Sequence, residues 1–132
     1  MGITTRSLYG LKFVMYLIDK GSRASVREVS EKENIPYRYL ERIVQDLRKN
    51  GIVFSYKGKG GGVELCNPEN VTLKDIVRVL DGSLLEVPCM PPVLKVCEIV
   101  DSCSAKKVWE EFMSSIEKVC GKIKLMNYKR RN

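Results

Sequence analysis

The sequence predicts a mainly α-helical chain with one small β-hairpin, and three observations carry that reading. Apolar residues recur at helical spacing in several separate stretches, Gly and Pro fall between those stretches, and the run Lys57-Gly58-Lys59-Gly60-Gly61-Gly62 is too rich in glycine for any regular element. The 132 residues, 44% of them apolar, suffice for one core of ordinary size.

Leu8, Leu11, Met15 and Ile18 recur at helical spacing with Phe13, Val14 and Leu17 on other faces, which predicts a well-buried helix over about residues 5–19, capped by Thr4 or Thr5. Ser25-Val26-Arg27-Glu28 is a capping-box pattern, in which the hydroxyl takes a backbone N–H and the glutamate reaches back. It opens a short helix to about Lys32, broken by Asn34-Ile35-Pro36. Pro36 suits the first turn of the next helix, where a missing N–H costs nothing, and Leu40, Ile43, Val44 and Leu47 give that helix an apolar stripe ending at Asn50-Gly51.

Ile52 to Tyr56 and Val63 to Leu65 have strand composition and flank the glycine run as a hairpin. Thr72-Leu73-Lys74-Asp75 caps a further short helix that Asp81-Gly82 stops. From Gly82 to Ser102, three prolines and neighbouring cysteines predict an irregular loop, with one helical turn around Val93 to Val100. Val108, Phe112, Ile116, Val119 and Ile123 then mark a long amphipathic helix over about residues 104–124, and Lys129-Arg130-Arg131 reads as a frayed tail. The organisation expected is a unit of four helices and the hairpin over residues 1–82, a cysteine-bearing loop over 83–103, and a long helix with a basic tail over 104–132.

The net charge is +7, and residues 1–65 hold 12 Lys and Arg against 7 Asp and Glu, so most of the excess lies in the first half. Such an excess attracts phosphate, anionic membrane or acidic protein. No apolar run approaches the roughly 18 residues that span a bilayer and the start has no long apolar segment, so the chain is expected to be cytoplasmic, with no membrane partner. With no histidine, no G-x-S-x-G and no P-loop, nothing is assembled for catalysis, and no enzyme is expected.

Two helices joined by a tight break and followed by a hairpin describe a winged helix-turn-helix. In that arrangement the second helix enters the major groove by its N-terminal end, here Tyr37, Arg38, Tyr39, Glu41 and Arg42, with Leu40 turned to the core. Arginine can hold guanine by two hydrogen bonds, tyrosine can donate to phosphate or pack on a thymine methyl, and glutamate can accept from cytosine. In the wing, Lys57 and Lys59 stand beside Gly58, Gly60 and Gly61, whose bare backbone allows close approach to phosphates or to the minor groove. A basic helix face is often only solvated and a glycine tip often only completes a turn. Their adjacency, in wing order, favours double-stranded DNA.

Over essentially its full length the chain resembles the Rrf2 type of bacterial winged-helix regulators. The matching pieces are Thr4-Thr5-Arg6-Ser7-Leu8-Tyr9-Gly10, Tyr39-Leu40-Glu41, Leu47-Arg48-Lys49-Asn50-Gly51, the glycine-rich wing, Asp75 to Gly82, and Trp109. The resemblance implies a homodimer whose long C-terminal helices cross, bound to a pseudo-palindromic operator. By pattern alone the stripe from Val108 to Ile123 serves equally as an intrachain core.

Cys89, Cys97 and Cys103 form C-x7-C-x5-C. Thiolates gathered on an irregular segment suit an iron–sulfur cluster, C-x7-C is too open for the usual zinc knuckle, and spare thiols fit the spacing as well. Cluster-binding members of the resembling family carry three cysteines in this segment, and members without them sense by other means. The resemblance thus implies an iron–sulfur cluster on Cys89, Cys97 and Cys103, [2Fe-2S] before [4Fe-4S], in a redox-sensing repressor-like regulator. The alternative is a cluster-free regulator controlled by thiol oxidation, a small molecule or a partner protein.

The fourth ligand is unidentified. Where one branch of the family has a histidine three residues after the last cysteine this chain has Lys106, and where another takes an aspartate from the partner's first helix it has Leu8. Glu86, Glu98 and Asp101 are chemically suitable oxygen ligands. Cys66 and Cys120 read as small buried hydrophobes.

Overall fold

A computed structural model describes residues 3–83 and 103–130 of the chain. These form five helices, α1 (Thr5–Lys20), α2 (Val26–Glu33), α3 (Tyr37–Lys49), α4 (Leu73–Asp81) and α5 (Ser104–Lys122), and two strands, β1 (Val53–Tyr56) and β2 (Gly62–Leu65). A short 3-10 turn, Leu125–Tyr128, follows α5. The mainly helical chain with one hairpin is the architecture expected. The irregular loop, its helical turn around Val93 to Val100, Cys89, Cys97, Glu86, Glu98, Asp101 and the last tail residue Arg131 lie outside the described residues.

The helix boundaries follow from their caps. Thr4 accepts from the Ser7 N–H at the start of α1, and Gly21 closes it in the left-handed conformation with φ 71°. At α2, Ser25 accepts from the Glu28 N–H, but Glu28 does not reach back as the capping box requires. Its carboxylate is held by Lys20 at 2.8 and 3.0 Å and by the Tyr16 hydroxyl at 2.7 Å. Two charge-assisted contacts to α1 thus displace one local contact to backbone. Pro36 stands one residue before α3, as its N-cap, rather than inside the first turn. The capping box of α4 is complete, with Thr72 and Asp75 exchanging hydrogen bonds.

The hairpin pairs Val53 with Leu65 and Tyr56 with Gly62. Glycine is required at its tip: Gly58 and Gly60 have φ 85° and 79°, and a Cβ on Gly61 would lie 2.3 Å from the Tyr56 carbonyl oxygen. Ala24, in the loop between α1 and α2, exchanges backbone hydrogen bonds with Val63 at 2.8 and 3.1 Å and lengthens the sheet by one bridge.

The core is built from Phe13, Val14, Val29, Leu40, Ile43, Leu47, Val53 and Ile76, drawn from α1 to α4 and β1. The inner face of α1 is Ser7, Gly10, Phe13, Val14, Leu17 and Ile18. Leu8, expected in that stripe, is 50% exposed instead, because Gly10 rather than a larger residue meets α4, and a Cβ there would lie 2.2 Å from Leu80. The close approach rotates α1 so that Leu8 faces outward.

The long helix ends at Lys122, short of the expected residue 124, because Ile123 and Leu125 leave it to pair with residues 71–73 at the start of α4. Leu73 donates to the Ile123 carbonyl at 3.0 Å and Leu125 to the Val71 carbonyl at 3.1 Å. Leu125 is buried in the core. Nor is the tail frayed through Arg130, whose N–H donates to Asp19 at 2.8 Å. The C-terminal turn is therefore a latch on the α1–α4 body. Leu125→Ala is expected to lower unfolding free energy by about 2–4 kcal/mol, and Tyr128→Ala at an exposed position by no more than about 0.5 kcal/mol. Urea midpoints with unchanged slopes test the pair.

Candidate nucleic-acid interface and cysteine site

The apolar stripe of α3, Leu40, Ile43, Val44 and Leu47, is buried. Arg38, Glu41, Arg42 and Gln45 are consequently exposed on the other face, and Tyr37 is half-buried beside them. Arg27 of α2 lies over the Tyr37 ring, its guanidinium carbon 4.3 Å from the centroid. Tyr39 is exposed as well, on the opposite flank, where its ring meets Tyr9 of α1 edge-on at 5.7 Å. In the wing, Lys57, Gly58, Lys59 and Gly60 are exposed and Gly61 is half-buried. Arg23, Arg27 and Tyr56 join the candidate surface without having been read from the sequence. Their contacts span loops, and periodicity along the chain carries no signal of them.

The placement of α3 depends on the start of α1. Arg6 donates from Nε to the Leu80 carbonyl at 3.0 Å and pairs through its guanidinium with Asp46 of α3. Beside it Asp81 accepts from the Thr4 N–H at 3.2 Å, from the buried Ser7 hydroxyl at 2.7 Å and from the Thr4 hydroxyl. Burial raises the Asp81 carboxyl, but the hydrogen bonds from Thr4 and Ser7 and the charge of Arg6 outweigh it, and its pKa lies below the ordinary carboxylate value.

Of the three cysteines proposed as ligands, Cys103 is described. It occupies the N-cap of α5, half-buried, and its side chain makes no capping hydrogen bond. A helix start offers free backbone N–H groups that suit an anionic sulfur ligand. Among the described residues no three His, Cys, Asp or Glu side chains come together to hold a metal. Cys120 is buried as expected, but Cys66 is exposed, because it follows the end of β2 where the chain leaves the core.

Along α5 an apolar stripe is exposed among the described residues. Val108, Phe112 and Val119 are 65%, 44% and 57% exposed, Trp109 is exposed beside Phe112 with ring centroids 6.2 Å apart, and Cys120 is the one buried residue of the helix among those described. No helix among the described residues is long and apolar enough to cross a membrane.

The profile of the Rrf2 family, described as an iron-dependent transcriptional regulator, matches residues 3–128. The chain belongs to the Rrf2 family. Among solved structures, CymR, the global cysteine regulator of B. subtilis, superposes with a TM-score of 0.75 at 28% identity over 98% of this chain and 99% of that one. IscR of T. potens gives 0.70 at 30% identity over 95% of this chain and 83% of that one. An rrf2-like HTH-type transcriptional regulator of Rhodobacter capsulatus is 36% identical over 94 residues, 67% of this chain. The match spans 63% of the length of that relative. These Rrf2 relatives are named regulators rather than enzymes, in agreement with the expectation from the sequence.

The ionised state of Asp81 can be tested directly. Because its pKa is lowered in the fold, its contribution is complete above the unfolded-state value of about 3.9 and is lost as pH falls through the folded value. Asp81→Asn is expected to lower stability near neutral pH and to flatten the loss of stability below about pH 4 relative to the parent, read as urea midpoints against pH.

Proposed function

We propose that this Rrf2 protein is a DNA-binding transcriptional regulator that acts as a homodimer on a pseudo-palindromic operator, and that its cysteines carry the signal. The observation that carries the reading is the division of α3: its apolar side is taken up wholly by the core, which leaves Tyr37, Arg38, Glu41 and Arg42 at its N-terminal end turned outward. That end of the helix fits the major groove, where Arg38 and Arg42 suit guanine or phosphate and Glu41 suits the amino group of cytosine. Tyr39, packed on Tyr9, orients the helix from its flank. The exposed Lys57 and Lys59, on a backbone thinned by Gly58, Gly60 and Gly61, suit phosphate contact in the flanking groove. The exposed apolar stripe of α5 supports crossing of two such helices, which sets two reading heads a fixed distance apart.

For control, the reading assigns Cys89, Cys97 and Cys103 to an iron–sulfur cluster, [2Fe-2S] before [4Fe-4S]. Cys103, a half-buried free thiol at the N-cap of α5 that makes no capping hydrogen bond, fits a ligand role. When bound, the cluster supplies a centre sensitive to oxidation and to small reactive ligands. Leu8 and Lys106 occupy the places of the family's oxygen and imidazole ligands: Leu8 is an exposed apolar side chain, and Lys106 lies 3.6 Å from Glu110. The likeness to CymR, whose name is that of a cysteine regulator, favours a second reading in which the same thiols act without metal.

Protein purified without oxygen is expected to be coloured and to carry about two iron and two sulfide per chain. Colourless, iron-free protein after attempted reconstitution rejects the cluster and leaves the thiol reading. For DNA, Arg38→Ala is expected to weaken a specific operator by about 1–3 kcal/mol, whereas Lys59→Ala weakens all duplexes alike and lowers the salt slope by about 1. Equal duplex affinity of the parent and both variants in fluorescence anisotropy contradicts the interface.

A further inference from the structure

Arg23 lies in the loop between α1 and α2, next to Ala24, which bridges to β2. Its guanidinium carbon lies 3.4 Å from the centre of the Tyr56 ring, Nε donates to Glu64 at 3.2 Å, and a terminal nitrogen donates to the Gly60 carbonyl at 3.5 Å. The Tyr56 hydroxyl donates to the other oxygen of Glu64 at 3.3 Å, and Phe54 packs on Tyr56 with centroids 4.9 Å apart. One side chain from outside the hairpin thus touches β1, β2 and the tip. The loop and the hairpin also approach closely in their backbones, since a Cβ on Gly62 would lie 3.1 Å from the Ala24 carbonyl oxygen.

We propose that Arg23 is a positioning residue of the wing: it clamps the hairpin by its outer face and so fixes where Lys57 and Lys59 meet a duplex. The inference rests on the DNA-binding reading of the wing. A hairpin of two four-residue strands is marginal by itself, and glycines at its tip widen the range of conformations open to it. An exposed ion pair alone contributes little. A planar guanidinium that stacks on a ring while its edges donate to a carboxylate and a carbonyl combines three contacts in one orientation, which an ammonium cannot do. With its face on Tyr56 and its donors toward Glu64 and Gly60, Arg23 acts through the wing rather than as a phosphate ligand.

The full-length protein supplies two independent tests. In amide exchange without DNA, Arg23→Ala is expected to speed exchange at Gly61 and Val63 by about fivefold or more while Ile76 in the core stays unchanged. On a duplex operator, Arg23→Ala is expected to weaken binding by about 5- to 20-fold, and Arg23→Lys by nearly as much. In the Lys57→Ala/Lys59→Ala background the effect of Arg23→Ala falls below about twofold, because the wing no longer has charges to position. The same penalty in both backgrounds identifies a direct phosphate contact and overturns the proposal. So does unchanged exchange at Gly61 and Val63, whatever the DNA result. If the parent protein binds no duplex at all, the DNA reading falls and the exchange data alone decide whether Arg23 holds the hairpin.

Discussion

The guanidinium of Arg6 donates to the carbonyl of Leu80 and pairs with Asp46, so a single side chain at the start of α1 joins the end of α4 to the C-terminal half of α3. The neighbouring contacts reinforce the junction. Gly10 lets α1 approach α4 until only a hydrogen separates it from Leu80, and Asp81 gathers the Thr4 and Ser7 donors over the same corner. As Arg6 and Asp46 are each about one-third exposed, their Coulomb attraction is modest. Their contribution is geometric: three helices are held in one register, and the outer face of α3 is thereby aimed.

The position of this corner bears on control. Gly82 ends α4 immediately after Leu80 and Asp81, and Cys103 begins α5. The cysteine-bearing segment therefore joins the helix anchored by Arg6 to the helix that presents the open apolar stripe. The far end of α5 is tied back to the body through the pairing of Ile123 and Leu125 with residues 71–73. In the proposed dimer, a movement at the Gly82 end of that segment would bear on α4 and through Arg6 on the aim of α3, and one at the Cys103 end on the crossing of α5. For this to be regulation, the two cysteine states must differ in DNA affinity.

Most of the fold was legible in the sequence because its punctuation is local. Thr72 with Asp75, Ser25, Gly51 and the glycines of the wing each fix a boundary by their own backbone preference or hydrogen bond, with no need of distant contacts. What escaped the sequence is long-range. Leu8 looks like a core residue until the Gly10–Leu80 contact sets the rotation of α1, and Glu28 looks like a capping-box residue until Lys20 and Tyr16 claim it. Leu125 sits beyond the last periodic stretch, and its burial depends on backbone pairing with Val71. The candidate groove-reading residues of α3 followed from its stripe. Arg23 did not, since its partners Tyr56, Gly60 and Glu64 lie across a turn, two helices and a strand.

The central claim is that two copies of the α3 face, spaced by crossed α5 helices, read one DNA site. Selection of bound sequences from a random duplex pool by the dimer tests it most directly. The account predicts enrichment of two inverted half-sites whose centres lie about one helical turn, roughly 10 base pairs, or a multiple of it apart. A pool that stays random through successive rounds, or that yields only a single half-site, contradicts it.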